Sequence, residues 1–316
     1  MYIVLLLAGL ALTLFGADWL TDGAAVVARR FRISDFVVGM TVIAIGTSTP
    51  ELAVSLLSSL EGHAEMAVGN VVGSNIFNIF VVVAACALIR PIALTRSNIR
   101  TDIPTCVGVS LLFLACGLHG SIERPVGAAM VVGYGLLLWY TVRTSRPGCD
   151  AATAEPTPAA EPRNTGGWLT ALMIVGGLCA LIGGGEMFVS GASELARRLG
   201  VSESVIAITI VAGGTSMPEL ASSVASLVKG RGAMALGNAI GSNTANILLV
   251  LGASATARPL TFGAIGITEL CMVLASAVLL LLTAFTFRRR AVDRWEGAIF
   301  LIIYTAYIVW LIRTDS

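Results

Sequence analysis

Long apolar stretches separated by short polar breaks run through the whole chain. A helix needs about 20 predominantly apolar residues to cross the hydrocarbon core of a bilayer, so each stretch of that length is a candidate membrane span. Ten candidates result, which predicts an all-α polytopic membrane protein. They cover residues 2–27, 34–60, 66–89, 101–118, 125–143, 168–196, 203–228, 233–257, 261–285 and 295–313.

The longest polar break separates the fifth span from the sixth. Residues 144–167 carry four prolines among Ala, Thr and Glu and have no apolar periodicity, a composition typical of a disordered linker. We therefore expect one five-helix unit over residues 1–143, the linker over 144–167, and a second five-helix unit over 168–316.

The two units are copies of one another. Shifting the sequence by 168 residues aligns 16–78 with 184–246 without a gap, and about 28 of the 63 pairs are identical. Because each unit has an odd number of spans, the second copy must enter the membrane from the opposite side. The sequence therefore predicts ten transmembrane helices in two inverted-topology repeats, an arrangement common in secondary transporters that bind substrate near the bilayer midplane.

The identities concentrate in two blocks per repeat, within about 39–78 and 207–246. The first block reads G-T-S-x-P-E and the second G-N-x-x-G-S-N. They lie within Thr41–Leu52 and Thr209–Leu220 for the first block, and Gly69–Asn78 and Gly237–Asn246 for the second.

The first block places a proline and a glutamate inside an apolar span. Proline lacks the helix N–H donor and leaves a carbonyl unpaired about four residues earlier, so the helix should break there and expose carbonyls near Ala44 and Gly46, and near Ala212 and Gly214. Broken backbone at membrane depth is tolerated only where it lines a cavity or is buried in protein.

Side-chain oxygens surround each predicted break. Thr47 precedes Glu51 by one helical turn, and Thr215 precedes Glu219 in the same way. The second block adds Ser74 with Asn78, and Ser242 with Asn246, at the same spacing. An all-oxygen set with two carboxylates selects hard cations such as Ca²⁺ or Na⁺, and the cost of two buried charges predicts that cations or protons always occupy them.

Composition narrows the classes of function. The chain is 56% hydrophobic and 12% charged, with a mean hydropathy of +0.87, which excludes an ordinary soluble domain. A net charge of +1 gives no basic excess for nucleic acid. Five of the six cysteines lie in apolar stretches, where we expect small buried hydrophobic side chains rather than metal ligands, and no cofactor is expected.

The basic residues predict the orientation. About 15 of the 20 Lys and Arg fall on the side that holds the loops after the first, third, fifth, seventh and ninth spans. The positive-inside rule makes that side cytoplasmic. Both termini are then extracytoplasmic, and the 144–167 linker is cytoplasmic. Nothing in the sequence requires an oligomer.

At these motifs the chain resembles the calcium/cation antiporter superfamily, in particular its prokaryotic sodium/calcium exchanger-like branch. The resemblance implies a multi-pass plasma-membrane antiporter rather than an enzyme, with Ca²⁺ and Na⁺ as its ions and with the first and sixth spans as a sliding gate. It implies that Glu51 and Glu219 are shared central ligands, assisted by Thr47 and Thr215. The flanking sodium ligands would be the backbone oxygens of Ala44 and Ala212 and the hydroxyls of Ser48, Ser74, Ser216 and Ser242.

One position departs from that family's pattern. Asn246 stands where well-understood sodium/calcium exchangers carry Asp, so the coupling ion and stoichiometry stay open, and a proton- or K⁺-coupled antiporter is the alternative. A cation channel is a weaker one, since one chain supplies both halves of an enclosed site. An intramembrane serine hydrolase lacks a base to activate Ser48 or Ser216.

Further pairs match across the repeat without an assigned role. Asn70 with Asn238, and Asn75 with Asn243, either brace the broken helices or are structural. Asp18 and Glu186 either line the gate or bond a neighbouring helix end, with the structural role favoured. Close helix packing is at least as good an explanation as ion binding for four glycines. These are Gly69, Gly73, Gly237 and Gly241.

Overall fold

The computed structural model describes residues 2–144, 166–200, 212–263, 265–286 and 290–314, which are helical apart from short loops and four two-residue strands. The first half contains α1 (Tyr2–Phe31), α2 (Asp35–Thr47), α3 (Thr49–Glu61), α4 (Ala64–Ile89), β1 (Ile92–Ala93), α5 (Asn98–His119), β2 (Ser121–Ile122) and α6 (Arg124–Thr144). The second contains α7 (Gly167–Arg198), α8 (Ala212–Gly214), α9 (Met217–Val228), α10 (Gly232–Ala257), β3 (Leu260–Thr261), α11 (Ile267–Thr283), β4 (Ala291–Val292) and α12 (Arg294–Thr314).

The helices follow the predicted spans. Among the described residues, seven are long and apolar enough to cross a membrane, and the bent pair α2 and α3 makes an eighth span. The other two predicted spans correspond to the 17-residue apolar α11 and to α8 with α9, whose predicted beginning at 203–211 lies outside the described residues. The linker prediction falls almost wholly on residues 145–165, which also lie outside them.

Each strand pair joins one repeat to the other. β1 pairs antiparallel with β4, with Ile92 opposite Val292, and β2 pairs with β3, with Ser121 opposite Thr261. In a chain of ten alternating spans, β1 and β4 lie in loops on one side and β2 and β3 in loops on the other. The pairing therefore fits the inverted topology and fastens the repeats together at both faces.

The two central helices are α4 and α10, which carry the G-N-x-x-G-S-N blocks. About two-thirds of the most apolar part of α4 and nearly all of that of α10 are buried. For the four glycines, the structure shows the predicted close helix packing in the second repeat. A Cβ on Gly237 would lie 2.1 Å from the carbonyl oxygen of Phe36, and one on Gly241 would lie 2.7 Å from Met40 backbone atoms, so both serve close packing against α2. Among the described residues, a Cβ on Gly69 would make only an ordinary contact and one on Gly73 would meet nothing within 4 Å; residues 203–211, the repeat counterpart of the α2 segment that faces Gly237 and Gly241, lie outside the description.

A seam of glycines joins α1 to α7. A Cβ on Gly16 would lie 2.5 Å from the backbone nitrogen of Leu181, and one on Gly184 would lie 2.6 Å from that of Thr13. Small residues at this spacing let two helix backbones touch within a membrane. The seam glycines recur every seven residues and match across the repeat: Gly9, Gly16 and Gly23 on α1, and Gly177, Gly184 and Gly191 on α7.

Asp18 bonds a neighbouring helix end, as the favoured interpretation predicted. The Nζ atom of Lys229, directly after α9, lies 2.6 Å from Asp18 Oδ1 and 2.8 Å from Asp22 Oδ1. The side chain of Lys229 is only 16% exposed, and its Nζ also donates to the Asp18 carbonyl oxygen. This ion-pair cluster ties α1 to the end of α9. Glu186, the repeat counterpart of Asp18, is exposed.

The prediction of buried cysteines holds for only part of the set. Cys86, Cys106 and Cys116 are buried, but Cys179 and Cys271 are exposed. The prediction was wrong for those two because an apolar stretch of a membrane protein also has a lipid-facing side, where an apolar side chain needs no protein partner.

Candidate cation-binding site

Both proline-containing helices are broken, as the sequence predicted. α2 ends at Thr47 and α3 begins at Thr49, with Ser48 at φ −81°, ψ 7° and a bend of 45°. In the second repeat, Thr215 and Ser216 lie between the short α8 and α9, and Ser216 has φ −91° and ψ 6°. The missing N–H of Pro50 deprives the Gly46 carbonyl of its usual donor.

The Gly46 carbonyl nevertheless accepts a hydrogen bond from a backbone N–H of the cap at the end of α2, so the prediction that this carbonyl is exposed was wrong. The Ala44 carbonyl is also engaged. It accepts a hydrogen bond from the Ser48 backbone N–H at 3.0 Å and lies 3.4 Å from the Thr47 hydroxyl, so only part of its capacity is open to an ion. Ala212 begins the described part of the second broken helix, and its side chain lies outside the description.

Each break faces the glutamate of the other repeat. The Ser48 hydroxyl donates to Glu219 Oε1 at 3.2 Å, and the Ser216 hydroxyl donates to Glu51 Oε1 at 3.4 Å. Both glutamate side chains are completely buried. The two halves of the motif, 168 residues apart in sequence, therefore form a single site.

Serines of the second block also donate hydrogen bonds to the same carboxylate oxygens. Ser74 donates to Glu51 Oε1 at 3.3 Å, and Ser242 donates to Glu219 Oε1 at 3.4 Å. Each Oε1 thus accepts from one hydroxyl of its own repeat and one of the other. The Oε2 atoms of both glutamates are buried without a hydrogen-bond partner among the described residues.

Unpartnered buried polar atoms concentrate at this site. Of the ten buried side-chain atoms without a partner in the described part of the chain, six belong to predicted ligands. Buried polar groups are nearly always bonded, so such a concentration indicates a place for a ligand. The six atoms are Glu51 Oε2, Glu219 Oε2, Thr215 Oγ1, Asn246 Oδ1, and Nδ2 and Oδ1 of Asn78.

The two threonines differ in their contacts. The Thr47 hydroxyl lies 3.3 Å from Asn238 Oδ1, to which it donates, whereas its counterpart Thr215 Oγ1 is among the unpartnered atoms. A hydroxyl that donates keeps its lone pairs for a cation, and a hydroxyl without a partner has its lone pairs available as well. Both threonines therefore fit the predicted set of ligands. The repeats are therefore equivalent in sequence but not in hydrogen bonding.

Asn70 and Asn238 brace the broken helices. Asn70 Nδ2 donates to the Glu51 carbonyl oxygen at 3.3 Å and to Ser55 Oγ at 3.0 Å. Asn238 Nδ2 does the same to the Glu219 carbonyl oxygen at 3.3 Å, to Ser222 and to Ser223. Sequence reasoning overlooked these serines, although Ser55 and Ser223 are an identical pair across the repeat.

The helix geometry changes at the two site asparagines. Asn78 begins a π-helical segment, Asn78–Val83, and Asn246 begins the equivalent segment, Asn246–Leu251. Such wide turns often mark functional positions because they rotate one side chain out of the regular helical register. No feature of the sequence signalled these segments.

The resulting chemistry is that of a hard-cation site. Two carboxylates, hydroxyls, amide oxygens and the backbone carbonyls at the break are all oxygen ligands, as Ca²⁺ and Na⁺ prefer. In the part of the chain that the structure describes, no three His, Cys, Asp or Glu side chains come together to hold a metal ion.

Comparison with known proteins gives a family match and relatives that cover almost the whole chain. The profile of the family described as sodium/calcium exchanger protein matches residues 1–143 and 169–313. The putative antiporter CaxA of Alkalimonas amylolytica is 36% identical over 96% of both chains. The sodium/calcium exchanger MaX1 of Methanosarcina acetivorans is 28% identical over 98% of this chain and 97% of its own. A structure of the sodium-calcium exchanger NCX_Mj superposes with a TM-score of 0.84 at 31% identity, over 98% of both chains.

Proposed function

The chain belongs to the sodium/calcium exchanger protein family, and we propose that it exchanges Ca²⁺ for Na⁺ across the plasma membrane by alternating access at this site. The observation that carries the proposal is the pair of buried glutamates, Glu51 and Glu219. Each has one oxygen bonded by two hydroxyls and one oxygen without a protein partner among the described residues. Structures of NCX_Mj have been obtained with Na⁺ together with Ca²⁺ or Sr²⁺, which supports these ions as the cargo of the family fold.

The proposed ligands divide by charge. Glu51 and Glu219 are shared by Ca²⁺ and Na⁺, and neutral oxygens complete the shell of whichever ion is bound. The neutral ligands proposed are the side chains of Thr47, Thr215, Asn78, Asn246, Ser48, Ser74, Ser216 and Ser242 and the backbone oxygens of Ala44 and Ala212.

Two buried carboxylates also explain why exchange is obligatory. An uncompensated charge in the middle of a membrane protein costs several kcal/mol, and this site holds two. The empty site is therefore the high-energy state, and the transporter resists reorienting without a cation. Transport of the two ions is coupled because one ion must replace the other at the site before the transporter can reorient.

Uptake of radioactive Ca²⁺ into Na⁺-loaded proteoliposomes, diluted into Na⁺-free buffer, tests the proposal. We expect Glu51→Gln and Glu219→Gln each to reduce uptake to the level of protein-free vesicles, because a single charge no longer compensates for dehydrating a divalent ion. Glu123→Gln is the matched control: this exposed glutamate bonds Ser121 outside the site, and the variant should transport normally. Full activity in either site variant would refute the assignment.

The same vesicles distinguish the coupling ions. Uptake that requires internal Na⁺ supports sodium coupling, whereas uptake driven only by K⁺ or by a proton gradient moves the function to that ion. Uptake without any counter-ion indicates a channel. Because Asn246 is neutral, the outcome is not determined by the two-glutamate core alone.

We also propose the predicted orientation, with both termini outside the cell and residues 144–167 in the cytoplasm. A reporter fused after Ser316 tests it. Activity of a fused reporter that works only in the cytoplasm would contradict this topology.

A further inference from the structure

A pair of asparagines joins the two central helices at the site. Asn75 Nδ2 donates to the backbone oxygen of Asn243 at 3.4 Å, and Asn243 Nδ2 donates to the backbone oxygen of Asn75 at 3.1 Å. Both residues are buried, on α4 and α10 respectively. Since they are 168 residues apart, these two bonds are reciprocal, and each repeat makes the same contact with the other.

These bonds fix which way each amide points. A backbone carbonyl only accepts hydrogen bonds, so the amide atom facing it must be the NH₂ group, and the side-chain oxygen must face the other way. The oxygen of Asn75 accordingly accepts from Asn246 Nδ2 at 3.1 Å. Asn246 is thereby held with its own oxygen, Oδ1, as the unpartnered atom. Asn75 therefore orients a predicted ion ligand.

The hydrogen bond that the repeat relates to the one between Asn246 and Asn75 is not formed. The repeat relates Asn75 to Asn243 and Asn246 to Asn78, so the counterpart would run from Asn78 Nδ2 to Asn243 Oδ1. Both of these atoms are buried, and neither has a partner among the described residues. One bond of a symmetric pair is made and its twin is not, although all four side chains are identical in type.

We propose that Asn75 and Asn243 are positioning residues that act alternately. In the state seen here, Asn75 holds Asn246; in the oppositely facing state, Asn243 accepts from Asn78 and the bond between Asn75 and Asn246 opens. The inference rests on the proposed function in one respect, namely that the protein alternates between two facing states. When two inverted repeats exchange their conformations, the site opens to the opposite side of the membrane, and an asymmetric contact between residues of identical type passes to its counterpart.

The proposal also assigns a reason for a neutral residue at position 246. Asn75 Oδ1 is an acceptor whose orientation is set by the Asn243 carbonyl, so the side chain opposite it must donate. An amide does so at every pH, whereas an ionised carboxylate has no proton to give.

Asn75→Ala and Asn243→Ala form a matched pair of variants. Each removes the same kind of donor to a backbone carbonyl, so that loss is common to both. They differ only in the side-chain oxygen, which is bonded in this state for Asn75 and in the opposite state for Asn243. A net hydrogen bond corresponds to a factor of about five in an equilibrium constant. We expect the two variants to shift the equilibrium between facing states by about that factor in opposite directions.

Hydrogen–deuterium exchange of the full chain in lipid nanodiscs measures this shift, in a buffer that contains Na⁺, K⁺ and Ca²⁺ so that a cation occupies the site and the facing states interconvert. The readout is the ratio of deuterium uptake in α3 (Thr49–Glu61) to that in its repeat counterpart α9 (Met217–Val228). It should change in opposite senses in the two variants and stay unchanged in Thr305→Ala, an exposed threonine on α12. A change in the same sense in both variants, or no change in either, would overturn the proposal.

Two further features keep the test decisive. If an alanine variant fails to fold, Asn75→Ser and Asn243→Ser replace the pair, since a serine hydroxyl is too short to make either bond. The exchange ratio requires no transport, so it can fail while Ca²⁺ uptake succeeds, and it can shift as expected in a protein that exchanges other ions. Failure of this inference is thus distinguishable from failure of the proposed function.

Discussion

The glycine seam between α1 and α7 predicts that alanine at a seam position destabilises the protein. Two adjacent glycines provide the test and its control. Gly184 and Gly183 are neighbours in the same helix, but only Gly184 faces α1. A Cβ on Gly184 would lie 2.6 Å from both the nitrogen and the hydroxyl oxygen of Thr13 and 2.8 Å from the Gly9 carbonyl oxygen, whereas one on Gly183 would meet none of the described residues within 4 Å. Gly183→Ala is therefore the matched control for Gly184→Ala.

The expected magnitude follows from those distances. Ordinary contact begins at 3.4 Å, so α1 and α7 must move apart by about 0.8 Å, the difference from 2.6 Å, to admit the methyl group. Overpacking of this kind costs about 1–3 kcal/mol. Replacing glycine by alanine within a helix gains about 0.5–1 kcal/mol, and this gain is common to both variants. The difference in the free energy of unfolding between the two variants therefore measures the cost of separating the helices at the seam. Gly184→Ala should be about 1–3 kcal/mol less stable than Gly183→Ala.

The apparent melting temperature of the purified protein, followed by the loss of its monodisperse peak after heating, reports that difference. At about 2–4 °C per kcal/mol for a chain of comparable size, Gly184→Ala should melt several degrees below Gly183→Ala. Gly16→Ala, at the repeat counterpart, should behave like Gly184→Ala because its Cβ would lie 2.5 Å from the Leu181 nitrogen. Equal melting temperatures for the two variants of α7 would show that the backbones do not touch as described.

Two further predictions concern charge. Asn246→Asp places a carboxylate against the Asn75 acceptor 3.1 Å away, so Ca²⁺ uptake relative to that of the wild type at the same pH should be low at neutral pH and should rise toward acid, where the protonated side chain donates again; a ratio that does not change with pH would contradict this reasoning. Lys229→Glu brings a third carboxylate to Asp18 and Asp22 and should lower the melting temperature more than Lys229→Met does. Because these groups are partly exposed, that gap should narrow at high salt, and a salt-independent gap would rule out a charge effect.

The sequence predicted the features that depend on local chemistry or on the repeat. Runs of about 20 apolar residues marked the spans, and the missing N–H of Pro50 marked the break. Duplication singled out Glu51 and Glu219, whose serine partners the structure places across the repeat boundary. Each of these inferences needed only residue types and spacing.

Features that break the symmetry between the repeats were not predictable in this way. Thr47 bonds Asn238 while Thr215 Oγ1 has no partner among the described residues, and Asn246 Nδ2 bonds Asn75 while Asn78 Nδ2 has no such partner. Equivalent residues differ here because the two repeats adopt different conformations. A periodic pattern likewise cannot tell a lipid-facing side from a protein-facing one, which is why Cys179 was misplaced.

The reciprocal strand pairs also bear on how such a chain arose. β1 and β3 lie 168 residues apart, and β2 and β4 nearly so, which makes the pair of β1 with β4 the image of the pair of β3 with β2. A self-complementary contact of this kind is what two copies of a half-length chain, inserted in opposite orientations, would form as a homodimer. In such a dimer both copies must carry the same residue at every position. A chain that encodes the two halves separately is free of that constraint: one half carries Lys229 where the other carries Glu61, and α1 gains an ion pair that the acidic Glu61 and Glu186 cannot reproduce.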